Sequence, residues 1–294
     1  MSIRPILTYL LLSAFLFTSC AEKERSKAKK ANPHPNKFHN QELVQVYKWK
    51  DLRLTDRLIE ALKNENELVR QEATLALGSV IDREALPALI KALNDTVLQV
   101  RMNATFAIGQ IGDTSAIDAI VRAYIKEPFS HVRLEMIQTL GKCNSQRSID
   151  LIDGYAPTTK EDSLGMMWGY YRLGLKRPLS PVSVERTVGV LKTQRTWMRA
   201  IACHVLARSK GVNLSNFNEA IIAHIRDEKD PVMRMALCLS LRNVDNDDTR
   251  DLLNDLVYSD PDERVRVNAL RSLGSGSHLE NSFPVFMEAL RDEH

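Results

Sequence analysis

The feature that most limits how this chain can fold is an internal repeat with a period of about 32 residues. The motif is a hydrophobic residue followed by arginine, with a small or apolar residue three positions later, an aliphatic residue seven later and often glycine eight later. Six arginines hold this position: Arg70, Arg101, Arg133, Arg199, Arg234 and Arg266. They are 31, 32, 66, 35 and 32 residues apart, and the gap of 66 is two periods centred on Met166. The chain therefore carries seven copies, one without its arginine.

Each copy lies in an amphipathic helical pattern and follows a second pattern of the same kind. Inner helices are predicted near residues 67–78, 98–109, 130–141, 163–174, 196–207, 231–242 and 263–274, with a C-terminal capping helix at 280–291. Few glycines, prolines and aromatic residues favour helices over an all-β sandwich. A pair of this length cannot bury its apolar stripe alone, so neighbours must stack. The predicted fold class is all-α, an α-solenoid of about seven helix pairs.

The first 40 residues do not follow the repeat. Arg4 precedes a short apolar run, and Thr18 and Ser19 end that run before Cys20, which is the order of parts in a secretory signal peptide. The run holds about twelve apolar residues, whereas crossing a bilayer takes roughly twenty. We therefore predict a signal peptide at 1–19, a tether at 20–40 and the repeat array at 41–294.

The tether is basic and has no apolar periodicity. It contains six lysines and arginines, two glutamates and two prolines, so it cannot bury enough surface to fold alone. A flexible coil of about 20 residues reaches on the order of 25 Å, and its charges could contact anionic lipid. Without the signal and tether, the array is slightly negative although the whole chain is +3. A near-neutral array does not suit a nucleic-acid partner.

The segment Thr18-Ser19-Cys20 resembles the bacterial lipoprotein signal. The resemblance implies export, acylation of Cys20 and a lipid anchor in the cell envelope, at the outer membrane. The alternative is an ordinary signal peptide in which Cys20 is incidental.

The segments 82–89, 112–116 and 260–266 are similar to the short HEAT repeats of the phycobilin-lyase-like class. The resemblance implies a right-handed α-solenoid whose arginine-bearing inner helices line the concave side. It also implies that the six arginines form a structural ladder, stacked between repeats near acidic residues at the start of the inner helices. The matching acids are Asp95, Asp230, Asp260 and Asp262, and the first and fourth repeats lack a clear equivalent.

Residues able to carry catalysis or bind metal are scattered along the chain. Some proteins of this repeat class are di-iron hydroxylases with His-Glu pairs, but this chain has no His-Glu dipeptide and no histidines at i, i+4 spacing. We predict no metal site, no cofactor and no catalytic residue. Cys143, Cys203 and Cys238 are expected to be buried thiols acting as small apolar residues.

Positions one and five after each arginine, and after Met166 in the fourth copy, point away from the predicted core. Ten of these fourteen residues are apolar, and contiguous apolar surface usually marks an interaction site. With nearby aromatic residues of the fourth and fifth repeats, they give the candidate partner-binding set: Met102, Phe106, Leu134, Met167, Trp168, Tyr171, Trp197, His204, Met235 and Leu239. Tyr170 is predicted at the same centre. The alternative is a stripe that the inner helices bury among themselves.

These observations favour a non-catalytic, membrane-anchored scaffold that binds a protein or peptide in the concave groove. Two alternatives stay open. One is a lyase-like protein that binds a cofactor or chromophore, and the other is a structural spacer.

Overall fold

A computed structural model describes residues 40–244, 246–275 and 282–290. The predicted signal peptide and all of the tether except Asn40 lie outside the described residues. The chain divides into two compact units, residues 1–45 and residues 46–294. The described part of the first unit, residues 40–45, begins helix α1 (Gln41–Asp51), and the Asn40 side chain caps it by accepting the Glu42 N–H at 2.9 Å. No helix among the described residues has both the length and the apolar character needed to cross a bilayer.

The second unit is an α-solenoid, and its described residues contain seven consecutive pairs of an outer and an inner helix. The outer helices are α2 (Thr55–Ala61), α4 (Leu86–Ala92), α6 (Ile117–Lys126), α8 (Gln146–Asp153), α10 (Pro181–Val190), α12 (Asn218–Asp227) and α14 (Asp247–Ser259). The inner helices are α3 (Glu67–Val80), α5 (Leu98–Ile111), α7 (Ser130–Cys143), α9 (Lys160–Gly174), α11 (Thr196–Arg208), α13 (Pro231–Ser240) and α15 (Glu263–Leu273). Helix α16 (Phe283–Ala289) follows the seventh pair. The predicted fold class is confirmed.

The inner helices begin and end at residues suited to helix termini. Asn66, Asp230 and Asp262 accept a hydrogen bond from the backbone N–H two residues later and so cap α3, α13 and α15. Gly112 ends α5 in the left-handed conformation, with φ of 68°, which glycine adopts without steric cost. The short outer helices have fewer internal hydrogen bonds, so packing against neighbours must hold them.

The core runs through the array along one side of every inner helix. The residue before each arginine and the residue seven after it are buried in all six arginine-bearing repeats: Val69, Leu77, Val100, Ile108, Val132, Leu140, Met198, Leu206, Met233, Leu241, Val265 and Leu273. Each inner helix packs against the inner helices before and after it, whereas successive outer helices make far fewer contacts with one another. The inner helices therefore form the tighter layer of the solenoid.

Helices α7 and α9 approach each other through three glycines. A Cβ atom on Gly141 would overlap the carbonyl oxygen of Gly169, and one on Gly165 would lie 3.0 Å from Leu134 Cα. No larger residue fits at Gly141 without moving a helix backbone. This close contact is local to the fourth repeat, the copy that has Met166 in place of arginine.

Several helix bounds differ from the sequence prediction. The capping helix predicted at 280–291 is α16, which begins at Phe283 and ends at Ala289, and residues 280, 281 and 291 lie outside the described residues. Helix α9 begins at Lys160, three residues early, because Thr159 caps it by accepting the Asp162 N–H. Helix α13 stops at Ser240, and a 3₁₀ turn continues over Leu241–Asn243. The outer helix of the fourth repeat, α8, had no predicted counterpart, since its eight residues bury only Ser148, Ile149 and Ile152.

Candidate functional site

The arginine ladder joins each inner helix to the start of the next repeat. Arg70 donates from Nε and Nη2 to the two carboxylate oxygens of Asp95, at 2.9 and 3.1 Å. Arg101 binds Glu127 in the same bidentate way, at 2.7 and 2.9 Å, and Arg234 binds Asp260 at 2.8 and 2.9 Å. Bidentate pairs of this kind have both charge and fixed geometry.

Two further sets of hydrogen bonds hold each regular rung of the ladder, meaning an arginine together with the acid it binds. The arginine Nη1 donates to the carbonyls five and six residues earlier, as Arg101 does to Thr96 and Asp95. The paired acid accepts the backbone N–H two residues after itself, as Asp95 does from Val97 at 2.8 Å. A ladder acid therefore orders the turn of its own repeat and binds the arginine of the preceding repeat.

The acids that pair with the arginines differ from the predicted set. Asp95 and Asp260 are ladder acids, but Asp230 caps α13 and Asp262 binds the neighbouring Arg264. The prediction was wrong there because it chose helix caps, four residues before the arginine, whereas most ladder acids lie six before it.

Three ladder acids were missed from the sequence. Glu127 pairs with Arg101, and Glu228 pairs with Arg199 at 3.2 Å. The fourth repeat, expected to lack an acid, supplies Asp162, which accepts from Arg133 Nε at 3.2 Å. Asp162 lies two residues past the usual position, inside α9.

The ladder is interrupted between the fourth and fifth repeats. Met166 replaces the arginine, and Thr193 replaces the acid that would have faced it, six residues before Arg199. The first repeat also lacks the acid, because Asn64 stands six residues before Arg70. No arginine-bearing repeat comes before it in the array, so an acid there would have no arginine to bind. The other five arginines, from Arg70 to Arg234, each bind an acid of the following repeat. Arg266, in the seventh repeat, donates to the carbonyl of Asp260.

Pairing with arginine favours the ionised form of four ladder carboxylates. Burial disfavours the charged form of Asp95, but hydrogen bonds from the Arg70 guanidinium and the Val97 N–H outweigh burial and lower the pKa of Asp95. The pKa values of Glu127, Asp162 and Glu228 are lowered by the same balance of burial against hydrogen bonds and arginine charge. These paired, mostly buried groups act in structure, and none is free to act as an acid or base.

The inner face, meaning the sides of the inner helices turned away from the core, holds the predicted partner-binding residues. Trp197 is 43% exposed and His204 is also exposed. Seven others are half-buried: Met102, Phe106, Leu134, Trp168, Tyr171, Met235 and Leu239. Leu75 and Val267, which occupy equivalent positions outside the predicted set, are 42% and 44% exposed. The inner face is therefore partly packed and partly open.

Two side chains predicted on the inner face, one methionine and one tyrosine, lie in the core. Met167 and Tyr170 are both fully buried, so neither can contact a partner in this structure. Met167 lies in the helix that approaches α7 closely at Gly141, Gly165 and Gly169, whereas Tyr170 is four residues after Met166, a position that is buried in most of the other repeats as well. A pattern based on helix rotation alone cannot show how closely two helices approach.

Some half-buried residues of the inner face contact one another. The Lys142 ammonium lies 5.0 Å from the centre of the Phe106 ring and donates to Glu135 at 2.9 Å. Trp168 and Tyr171 meet edge to face, with ring centres 5.5 Å apart. These contacts fix aromatic rings at defined places, which lowers the entropic cost of using them in binding.

The three cysteines among the described residues, Cys143, Cys203 and Cys238, are buried and free. Burial raises the pKa of Cys143 to about 11 and the pKa values of Cys203 and Cys238 to about 12, so the thiols stay protonated at neutral pH and do not act as nucleophiles. Within the described ranges, no group of three or more metal-ligating side chains converges.

An apolar cleft of about 320 Å³ lies between the outer helices α6 and α8, and sequence analysis did not predict it. Its walls include Ile120, Ile137 and Ile152, and Tyr124 and Tyr155 also line it, joined by a hydrogen bond of 2.6 Å between their hydroxyls. Its volume is at the lower end for ligand pockets. No sequence signal marks it, because it depends on the spacing of two outer helices.

Comparison with known proteins supports the fold. Solved structures similar to this one include an engineered protein at 17% identity and TM-score 0.51, covering 81% of this chain and 71% of that chain. A HEAT-like repeat protein from the archaeon Thermococcus onnurineus NA1 is 15% identical, with TM-score 0.47 and coverage of 82% and 97%. The complex of CpcE and CpcF of phycocyanin lyase from Nostoc sp. PCC7120 is 20% identical, with TM-score 0.44 and coverage of 76% and 95%.

No curated protein matches the sequence significantly. The family of HEAT repeats matches residues 41–101, 88–164 and 218–294, which together make up more than half of the chain. These segments contain five of the six ladder arginines. The chain belongs to the HEAT-repeat family.

Proposed function

We propose that this protein is a lipid-anchored scaffold of the bacterial cell envelope that binds a protein or peptide along the inner face of its solenoid. The observation that carries the proposal is the open apolar part of that face. Leu75, Trp197 and Val267 are each more than two-fifths exposed, and they lie on three inner helices, α3, α11 and α15. Apolar side chains spread over a rigid surface, with half-buried rings between them, suit a protein partner.

The chemistry of the inner face also favours binding over catalysis. The most buried ion pairs are used in the ladder, and the buried thiols are protonated. His204 is exposed on α11, and it belongs to no cluster of three or more metal-ligating side chains among the described residues. A binding surface needs none of these groups.

The membrane part of the proposal rests on the sequence. Cys20 follows a short apolar run and precedes a basic tether, and acylation at this cysteine would keep the array close to a membrane. A lipid-anchored partner or an envelope complex would then be found within the reach of the tether.

The test is a paired set of charge substitutions. The variant Leu75→Glu with Trp197→Glu places two charges on the inner face, and the control Ile125→Glu with Val182→Glu places two on outer helices, at residues 75% and 42% exposed. All four changes are at exposed positions, so both proteins should keep wild-type circular dichroism. Crosslinking in intact cells followed by mass spectrometry should show a protein partner with wild type and control, but not with the inner-face variant. Equal recovery in all three would reject the inner face, and no reproducible crosslink would favour a spacer.

The apolar cleft between α6 and α8 supports a second candidate function, the binding of a cofactor or chromophore. Val121 lines this cleft and is half-buried, so Val121→Trp should fill it. A visible absorption band that co-purifies with the native protein and disappears in V121W would replace the scaffold proposal. A colourless native protein counts against a chromophore.

A further inference from the structure

A polar cleft of about 350 Å³ lies between the fifth and sixth repeats. It forms where the turn from α10 to α11 faces the turn from α12 to α13, one repeat after the interruption of the arginine ladder. Lys192 and Thr193 come from the first turn, Lys229 from the second, and Arg199, His224 and Glu228 complete the lining. The inner-face residues Leu75, Trp197 and Val267 do not line this cleft, so it is a separate site.

Arg199 uses fewer of its donors than the arginines of the regular rungs. Arg101 and Arg234 each donate to both oxygens of an acid and to two backbone carbonyls. Arg199 donates once to Glu228, from Nε at 3.2 Å, and once to the Thr193 carbonyl, from Nη1 at 3.1 Å. Its Nη2 has no hydrogen-bond partner among the described residues and is not fully buried. The guanidinium therefore has an unused donor that solvent can reach.

The other charged groups of the cleft leave it net positive. Lys192 and Lys229 are exposed and form no ion pair within the described part of the chain. Of the two carboxylates, Glu228 is already held by Arg199 and by the Asp230 N–H, at 3.1 Å, and Asp227 is exposed to solvent. His224 Nε2 lies 3.3 Å from Glu228 Oε2 without forming a hydrogen bond. Three cations thus surround the cleft against one committed and one solvated carboxylate.

The corresponding turns of the first two repeats show what a complete rung does. There Arg70 is bound at both oxygens of Asp95, and a cleft between α2 and α4 is lined by Lys63, Lys91 and Asp95. This cleft has two lysines but no unused arginine donor from the ladder. The unused Nη2 donor of Arg199 is therefore what distinguishes the cleft between the fifth and sixth repeats from the first cleft.

We propose that the cleft between the fifth and sixth repeats binds a phosphoryl group, carried by a small phosphate ester or by a phospholipid headgroup. The guanidinium offers an oriented N–H donor, and the two lysines add mobile positive charges, a combination that matches the several oxygens of a phosphoryl group. A single carboxylate would use only part of this donor set. The volume also leaves room for the organic group that the phosphate carries.

The test is calorimetric titration of the purified full chain with two probes, glycerol phosphate and the soluble phospholipid dihexanoyl phosphatidylglycerol. Heat with glycerol phosphate assigns the cleft to a free ester, and heat with the phospholipid alone assigns it to a headgroup. The double variant Lys192→Ala with Lys229→Ala should weaken binding by about tenfold or more, because each lost charge removes a strong hydrogen bond. The matched variant Lys63→Ala with Lys91→Ala removes the same charge from the first cleft and should bind as wild type does.

A second variant tests whether the absence of a carboxylate at position 193 favours binding of the phosphoryl group. Thr193→Asp places a carboxylate where regular repeats have one, close to Arg199, and should lower the affinity for the probe. Absence of heat with both probes at millimolar concentration, or equal weakening by the two lysine pairs, overturns the proposal. The scaffold function is tested independently, because Leu75→Glu with Trp197→Glu should leave phosphoryl binding unchanged.

Discussion

At the level of single residues, a ladder carboxylate six residues before an arginine has two structural roles. Glu127 accepts the Phe129 N–H at 3.1 Å, which orders its own turn, and it binds Arg101 of the preceding repeat. Only 2% of the Glu127 side chain and 11% of the Arg101 side chain are exposed. A buried pair with this many hydrogen bonds is costly to break from one side, because the remaining charge has no partner.

We expect Arg101→Ala to lower the free energy of unfolding by about 3 kcal/mol or more, since it leaves Glu127 buried and unpaired. The control is Arg147→Ala, which removes an ion pair with Asp118 whose side chains are 63% and 54% exposed. That change should cost less than about 1 kcal/mol. Urea denaturation followed by circular dichroism measures both, and similar losses in the two variants would contradict the role given to burial.

The pH dependence of the stability difference between wild type and Arg101→Ala shows whether the lost ion pair causes it. The pKa of Glu127 is lower in the folded protein than its ordinary value, so its ionised pair stabilises the fold above the unfolded pKa and is lost as the pH falls through the folded pKa. The difference in stability between wild type and Arg101→Ala should therefore be largest near neutral pH and shrink below about pH 4. A difference that does not change with pH would point to lost packing instead.

The sequence predicted the arginines of this ladder better than their partners. Arginine spacing is regular and visible, whereas the acid is Asp or Glu and moves inside the helix in the case of Asp162. A search for an acid six residues before each arginine finds Asp95, Glu127, Glu228 and Asp260. Hydrogen-bond geometry explains why the acid lies six residues before the arginine, because a carboxylate at that position can reach the backbone N–H two residues later.

At the level of helices, spacing decides which residues of the inner face stay open. The period of the sequence predicts which way a side chain points, but the distance between neighbouring helices depends on small residues at their contact. Gly141 and Gly169 allow α7 and α9 to touch, and that contact buries Met167. The exposed Leu75 and Val267 lie where the helix contacts are looser: a Cβ on Gly78 of α3 would still be 3.3 Å from Ala107 Cα, and α15 contains no glycine.

Replacing Gly141 with alanine should destabilise the protein by about 1–3 kcal/mol, because the added methyl group overlaps the backbone of α9. Gly189 offers a matched control in helix α10, where an added Cβ would have no atom within 4 Å. Gly189→Ala should stabilise by about 0.5–1 kcal/mol through helix propensity alone. Opposite shifts of the melting temperature are expected in a thermal scan, and a shift of the same sign in both variants would show that the α7–α9 contact is not tight.

At the level of the whole molecule, the repeat period and the pattern of apolar residues were sufficient to predict an α-solenoid. Nearest-neighbour stacking makes this possible, because each pair depends only on the pairs beside it. The apolar cleft at Tyr124 and Tyr155 and the polar cleft at Arg199 could not be predicted in this way. Both arise between elements of neighbouring repeats, where small departures from the average geometry open space.

Attachment to a membrane is tested by Cys20→Ser. If acylation at Cys20 anchors the array, the variant should move from the membrane fraction to the soluble fraction of the cell, as judged by immunoblotting of fractionated cells. The control is a variant in which the six basic residues of the tether are neutralised and Cys20 is kept. This variant should stay in the membrane fraction. Continued membrane association of Cys20→Ser would assign binding to the basic tether.

The shared carboxylates also have a consequence for how such a chain can grow by duplication. A segment of one period carries an acid for the repeat before it and an arginine for the repeat after it, so an inserted copy finds a partner at both ends. Loss of one arginine has the opposite effect and leaves the acid of the next copy with nothing to bind. Met166 and Thr193 together have the form of such a paired loss, because the arginine of the fourth repeat and the acid of the fifth are both missing while the pairs on either side, Arg133 with Asp162 and Arg199 with Glu228, remain.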